Sequence, residues 1–272
     1  MANVRRQEMA RRPGRATAIA LAVLVWTAAA QAADCPRKGT LGTSRVMAVD
    51  PATWPRIGRR DFAQTLPLGD HEVVLTFDDG PWPAKTPRLL RALAKECVRA
   101  TFFVIGKPAS EFPDIVQRTA AEGHSIGTHT WTHFSLRRMP LADAVEEIQH
   151  GIAAVELAER GVETTIPSTP FFRFPGFEST PATLDLLQSR GISVFSTDLL
   201  ADDWIRRTPR QELRLLVKRL KLVNRGIILL HDPQPSTAAM LPAFLHYLKK
   251  HNYRVVHLVA AKPASEPEVS PH

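Results

Sequence analysis

The feature that most constrains this chain is an alternation. From residue 71 onward, short apolar runs are separated by stretches with helical spacing. Residues 73–77 (VVLTF), 100–105 (ATFFVI), 171–174 (FFRF), 192–196 (ISVFS) and 227–230 (IILL) each read as a buried strand. Helices are predicted near 87–96, 114–122, 141–160, 181–188, 209–222 and 241–250. Gly123, Gly161 and Gly191 stand where a left-handed cap would end three of them. Thr208-Pro209-Arg210-Gln211 has the capping-box pattern with proline at the first helical position. Residues 124–126 and 253–257 add two short strands. Strands that are apolar throughout need helices on both faces, which implies a parallel sheet. The expected class is therefore α/β, with about seven strand-helix units over residues 71–260, closed as a barrel or doubly wound. Both arrangements place chemistry at the C-terminal ends of the strands.

The flanks read differently. Residues 33–70, with Pro51, Pro55 and Pro67 and little periodicity, are expected to form an arm on the domain surface. Residues 261–272 read as a disordered tail. Residues 1–32 begin with arginines, continue through the apolar run 16–30 and end in Ala30-Gln31-Ala32, the pattern of an export signal. The run is short for a membrane span, and no later stretch is long enough to be one. Export would make the protein periplasmic or secreted. Residues 1–32 hold five arginines and one acid, so their removal lowers the net charge from +8 to +4. That mild excess does not argue for a nucleic-acid partner, which needs a concentrated basic stripe. The only cysteines are Cys35 and Cys97. In an exported chain they could form one disulfide, or remain two buried thiols.

The polar residues at the strand ends carry the chemistry. The first strand runs into Asp78-Asp79-Gly80-Pro81. Adjacent carboxylates repel unless a cation sits beside them, although Asp-Asp-Gly could equally be a helix-capping turn. His129 and His133, four apart, would share one side of a helical turn and, with Asp79, give two imidazoles and a carboxylate. That is a catalytic zinc arrangement with positions left open. Arg173 lies among aromatics and calls for a carboxylate partner. His231 ends a buried strand. Asp198 and Asp202-Asp203-Trp204 follow another.

Five stretches, TFDDGP (76–81), HTWTH (129–133), FRFPG (172–176), DDW (202–204) and ILLHD (228–232), occur in one order. Together they resemble the NodB-type polysaccharide deacetylases, carbohydrate esterase family four. The resemblance implies an irregular (β/α) barrel of fewer than eight strands and a metal-dependent hydrolase, most often zinc-dependent, acting on acetylated polysaccharides or oligosaccharides. It implies Asp78 as catalytic base, Asp79, His129 and His133 as metal ligands, and Arg173 as the partner orienting the base. It makes His231 the general acid, Asp203 its orienting acid, and Trp204 and Leu229 the walls of an acetyl pocket. Pro175, Gly176 and Phe177 would line the substrate, with the N–H of Gly176 or Phe177 facing the oxyanion. Two departures stand out: Leu200 sits where many members have an acid, with Asp198 nearby and its role left open, and Phe174-Pro175-Gly176 replaces the usual residues after the arginine. The implied reaction is N-deacetylation. An O-acetyl esterase on a glycan such as xylan and a non-catalytic glycan-binding relative are the alternatives.

Overall fold

The computed structural model describes residues 37–261. The expected export signal, Cys35 and nearly all of the expected tail lie outside that range. Within it, ten strands alternate with seven α-helices. The strands are β1 (Thr43–Val49), β2 (Arg56–Ile57), β3 (Glu72–Gly80), β4 (Thr101–Val104), β5 (Ser125–Thr128), β6 (Phe171–Phe172), β7 (Ser193–Phe195), β8 (Leu199–Leu200), β9 (Gly226–His231) and β10 (Arg254–Ala260). The helices are α1 (Thr86–Lys95), α2 (Gly106–Glu111), α3 (Pro113–Ala121), α4 (Leu141–Arg160), α5 (Pro181–Ser189), α6 (Pro209–Val223) and α7 (Pro235–Lys250).

Every strand pairing is parallel, and seven strands form the wall in the order β7-β6-β5-β4-β3-β9-β8. No hydrogen-bonded ladder joins β7 to β8, so the barrel is open at one seam, as the irregular barrel expectation requires. Alternation along a strand divides the side chains. Val73, Leu75 and Phe77 of β3 pack outward with the helices around Leu89, Leu93, Leu216 and Phe244. Val74 turns inward with Phe103, Phe171, Phe195 and Ile227. The inward face of β3 continues Val74, Thr76, Asp78, and that of β9 Ile227, Leu229, His231. The register pairs each with its counterpart, ending on Asp78 opposite His231. The interior thus changes from apolar to ionisable toward the C-terminal rim.

The arm is more built-in than its sequence suggests. β1 pairs with β10 and β2 pairs with β7. Val49, Ile57, Leu66 and Leu68 are buried in the barrel-interior cluster. Residues after β2 cover the open seam: Arg60 N–H donates to Thr197 O, and a Cβ on Gly58 would lie 2.6 Å from Thr197 N. Only glycine allows that approach at its φ of +111°. α2 and β8 are additions to the expected elements, and α7 begins six residues before the expected position, with Pro242 inside it.

Candidate active site

Five segments meet at the C-terminal rim. β3 carries Asp78 and Asp79 in its last three residues, the loop after β5 carries His129 and His133, and Arg173 follows β6. Asp203 follows β8, and His231 is the last residue of β9. The structure brings all seven of these sequence-expected residues together.

Arg173 and Asp78 form a buried pair. The guanidinium donates from Nη1 to Asp78 Oδ1 at 2.7 Å and to Thr76 Oγ1 at 2.9 Å. Nη2 donates to Ser196 O at 2.8 Å and Nε to Phe195 O at 3.3 Å, while the group sits 4.2 Å from the centre of the Phe103 ring. Burial costs a guanidinium dearly unless its donors are matched; here one carboxylate, one hydroxyl and two carbonyls match them. That fixes Asp78 as a rigid, single-orientation carboxylate at the rim.

Beside it, Asp79 Oδ1 lies 3.3 Å from His129 Nε2 and 3.1 Å from His133 Nε2. Burial would raise the Asp79 pKa, but the two imidazoles outweigh it and hold the carboxyl well below the usual carboxylate range. For His133, burial lowers proton affinity, and the Asp79 and Asp78 carboxylates more than reverse it, so its pKa is raised. The three donor atoms lie within 4.8 Å of one another. His129 donates Nδ1–H to Arg173 O at 2.7 Å, which leaves its Nε2 lone pair facing Asp79. Asp79 Oδ1 is buried and has no hydrogen-bond partner among the described residues. A buried, unpartnered carboxylate oxygen facing two imidazole nitrogens fits a divalent cation better than it fits a hydrogen-bond network.

The expected helical turn under the two histidines is not there. β5 ends at Thr128, and Thr130 and His133 adopt φ of +66° and +68°, incompatible with a continuing right-handed helix. His133 N–H donates to Thr130 Oγ1 at 3.0 Å, and the loop folds back so that the imidazoles converge. Their ring centres are 4.9 Å apart.

His231 faces the pair from β9. Its Nδ1 lies 2.6 Å from Asp203 Oδ1 and its N–H donates to Asp203 Oδ2 at 2.6 Å. Burial lowers the imidazole pKa, but Asp203, helped by Asp78 and Asp79, outweighs it and raises the value to about 9. Thr237 of α7 donates to Asp203 Oδ2 at 2.6 Å. No sequence pattern marks Thr237; only the packing of α7 behind β9 reveals it. Trp204 is half-exposed, with its ring edge-on to His231 at 5.4 Å. Leu229 is buried on the inward face one step below His231. Pro175 is buried, while Gly176 and Phe177 form a tight turn at φ of +58° and +62°. Phe177 N–H already donates to Phe174 O, leaving Gly176 N–H as the donor of the two that could face a substrate.

Asp198 is remote from this site. Its carboxylate accepts from Arg59 N–H, Thr65 Oγ1 and Ile227 N–H, each at 2.9 Å, and so ties the arm to the start of β9 at the opposite end of the barrel. Asp232 is buried under the rim, accepts from Thr86 Oγ1 and donates its N–H to Asp78 O at 2.8 Å.

The family model described as polysaccharide deacetylase matches residues 66–195. A chitooligosaccharide deacetylase of Bradyrhizobium is 34% identical over 170 residues, 61% of this chain and 73% of that protein. The chain belongs to the polysaccharide deacetylase family. A peptidoglycan-N-acetylglucosamine deacetylase of Bacillus cereus is 31% identical over 189 residues, 66% of each protein. Among solved structures, a peptidoglycan deacetylase of Bdellovibrio bacteriovorus superposes with a TM-score of 0.72 at 30% identity, covering 87% of this chain and 65% of that one. About a third of the Bacillus and Bdellovibrio proteins therefore lies outside what this chain matches. The Bdellovibrio structure shares the (β/α) barrel fold of this chain.

Proposed function

We propose that this chain is a zinc-dependent hydrolase that removes acetyl groups from N-acetylglucosamine units of a polysaccharide or oligosaccharide. The observation that carries the reading is the convergence, at one rim, of the Arg173-held Asp78, the Asp79–His129–His133 set and the Asp203-backed His231. Two imidazole nitrogens and one carboxylate oxygen suit zinc and leave coordination positions open. A cation held by Asp79, His129 and His133 supplies Lewis acidity to the reaction. Asp78 accepts the proton of the attacking water, its orientation fixed by Arg173. Gly176 N–H donates to the oxygen on which negative charge develops. His231 donates its proton to the departing nitrogen. An amine leaves poorly as an anion, so amide cleavage needs an acid still protonated at neutral pH, and a His231 pKa near 9 meets that need. An ester requires it less, which favours the N-acetyl reading over an O-acetyl one. The exposed aromatics Trp82, Phe134 and Trp204, each near a site residue in the chain, offer flat faces to sugar rings.

Acetate release from chitooligosaccharides, peptidoglycan and acetylxylan tests this. Release from either N-acetylated substrate, lowered about a hundredfold or more by Asp78→Asn, is expected. Release from acetylxylan alone would turn the reading to an esterase. Release from none of them by zinc-loaded protein would turn it to a glycan-binding relative. We further propose that residues 1–32 direct export to the periplasm or exterior, and that Cys35 pairs with Cys97. Among the described residues no cysteine is free. Labelling of both thiols under non-reducing conditions would refute the pairing.

A further inference from the structure

Among the described residues, the basic excess is confined to one segment. Residues 206–225 contain eight arginines and lysines and one acid, Glu212, a net charge of +7. The described residues 37–261 contain 29 basic and 23 acidic side chains, a net +6, so the rest of them sums to −1. The mild average charge conceals a concentrated stripe. Arg210, Arg214, Lys218 and Lys221 follow one another along α6 at spacings of four, four and three, which puts them on one face of the helix. All four are exposed. Of the eight, only Arg219 is in an ion pair among the described residues, with Asp202. Glu212 is buried behind the helix and does not offset the stripe.

Like charges at these spacings destabilise a helix, so nothing within the molecule accounts for them. Apolar side chains lie alongside. Leu222 is 78% exposed and Val223 50%. A groove of about 660 Å³ between α6 and α7 is lined by Leu213, Val217, Leu222 and Tyr247 together with Arg214, Lys218 and Lys221. Past the end of α6, Val223 and Arg225 continue into a second groove with Leu66 and Leu68. No acidic side chain lines the first groove. A polyanionic chain in water has use for the cations but none for an exposed leucine. A bilayer surface uses both, because apolar side chains enter the interface while lysine and arginine meet the headgroups.

We propose that the α6 face docks on an anionic phospholipid bilayer, with the Arg210–Lys221 stripe on the headgroups and Leu222 in the interface. The test is partitioning of the full chain onto vesicles of phosphatidylcholine with and without phosphatidylglycerol. The comparison is with a variant carrying Arg210→Gln, Arg214→Gln, Lys218→Gln and Lys221→Gln. Both proteins keep residues 1–36, so any binding by the arginines there is common to both. Glutamine is a good helix former, and an unfolding midpoint no lower than that of the natural chain verifies the fold. The expected result is binding that requires phosphatidylglycerol, weakens with salt and falls about tenfold or more in the variant. Leu222→Ser is expected to weaken vesicle binding while leaving affinity for dextran sulfate unchanged. Binding by the quadruple variant equal to that of the natural chain would overturn the proposal. So would tight dextran sulfate binding with vesicle binding indifferent to Leu222→Ser, which would make the partner a soluble polyanion.

Discussion

At the scale of single residues, the rim combines groups of opposite need. Asp203 accepts from three donors, His231 Nδ1 and N–H and Thr237 Oγ1, and so gives His231 a proton affinity that burial alone would remove. The sign follows. His231 is raised above its ordinary value, so the protonated acid persists up to about pH 9 and is lost above it. Asp203→Asn should move the alkaline limb of the deacetylation rate downward by more than one pH unit, measured as kcat against pH. An unchanged limb would remove Asp203 from that role. The carboxylates of β3 separate in the same way. Asp79→Ala deletes the unpartnered oxygen between the two imidazoles and should abolish bound zinc, read by elemental analysis of protein purified without added metal. Asp78→Asn keeps all three donor atoms and should retain zinc while acetate release falls by about a hundredfold or more.

At the scale of elements, the loop carrying His129 and His133 is held by what lies behind it. A Cβ on Gly151, in the middle of α4, would lie 2.5 Å from Thr130 C and 2.7 Å from Thr130 O. The loop therefore rests on bare helix backbone, and Gly106 of α2 packs on the same glycine, its missing Cβ falling 2.9 Å from Gly151 Cα. Gly151→Ala should push Thr130 outward, weaken zinc affinity and destabilise the fold by about 1–3 kcal/mol, by zinc titration and urea unfolding. The same loop explains what the sequence could and could not reveal. Strand ends were legible, because an apolar run followed by Asp78 or His231 is a strong signal. The conformation of residues 129–133 was not, since two histidines four apart fit a helix as well as a loop with two left-handed residues. β1 leaves no strand signal in the sequence because its exposed and half-buried residues leave only Val49 fully buried, and β2 leaves none because it is two residues long. The start of α7 is obscured in the sequence because Pro242 reads as a first-turn residue, whereas it lies inside the helix.

At the scale of the molecule, the two ends of the barrel hold different charges for different reasons. The rim gathers ionised groups. The base is closed by β10, whose Leu258 O accepts from Ser125 Oγ at 2.5 Å, with His257 Nε2 3.0 Å from the same hydroxyl. Since that hydroxyl gives its proton to Leu258, His257 Nε2 must be the donor to it. His257 Nδ1 is then left buried without a partner among the described residues. His124 accepts from Ala100 N–H at 3.1 Å. Burial, with Arg99 nearby, holds His257 down to about 4; burial, with His257 and Arg99, holds His124 down to about 3. Both folded values lie below the ordinary one, so the unfolded chain binds protons that the folded chain refuses. The stability they contribute is complete above about pH 6.5 and is lost as pH falls from there toward 4. Asp232 and Glu159, each pushed up to about 7 chiefly by burial, act in the opposite sense over the same range, because the folded state binds their protons first. The net curve is therefore flattened, and the histidine contribution shows only as a difference. His257→Gln keeps a donor toward Ser125 and cannot titrate. Between pH 7 and pH 5 the natural chain should lose more unfolding free energy than this variant, on the order of 1–2 kcal/mol, by urea denaturation at each pH. Parallel curves for the two proteins would show that the base of the barrel does not sense acid through His257.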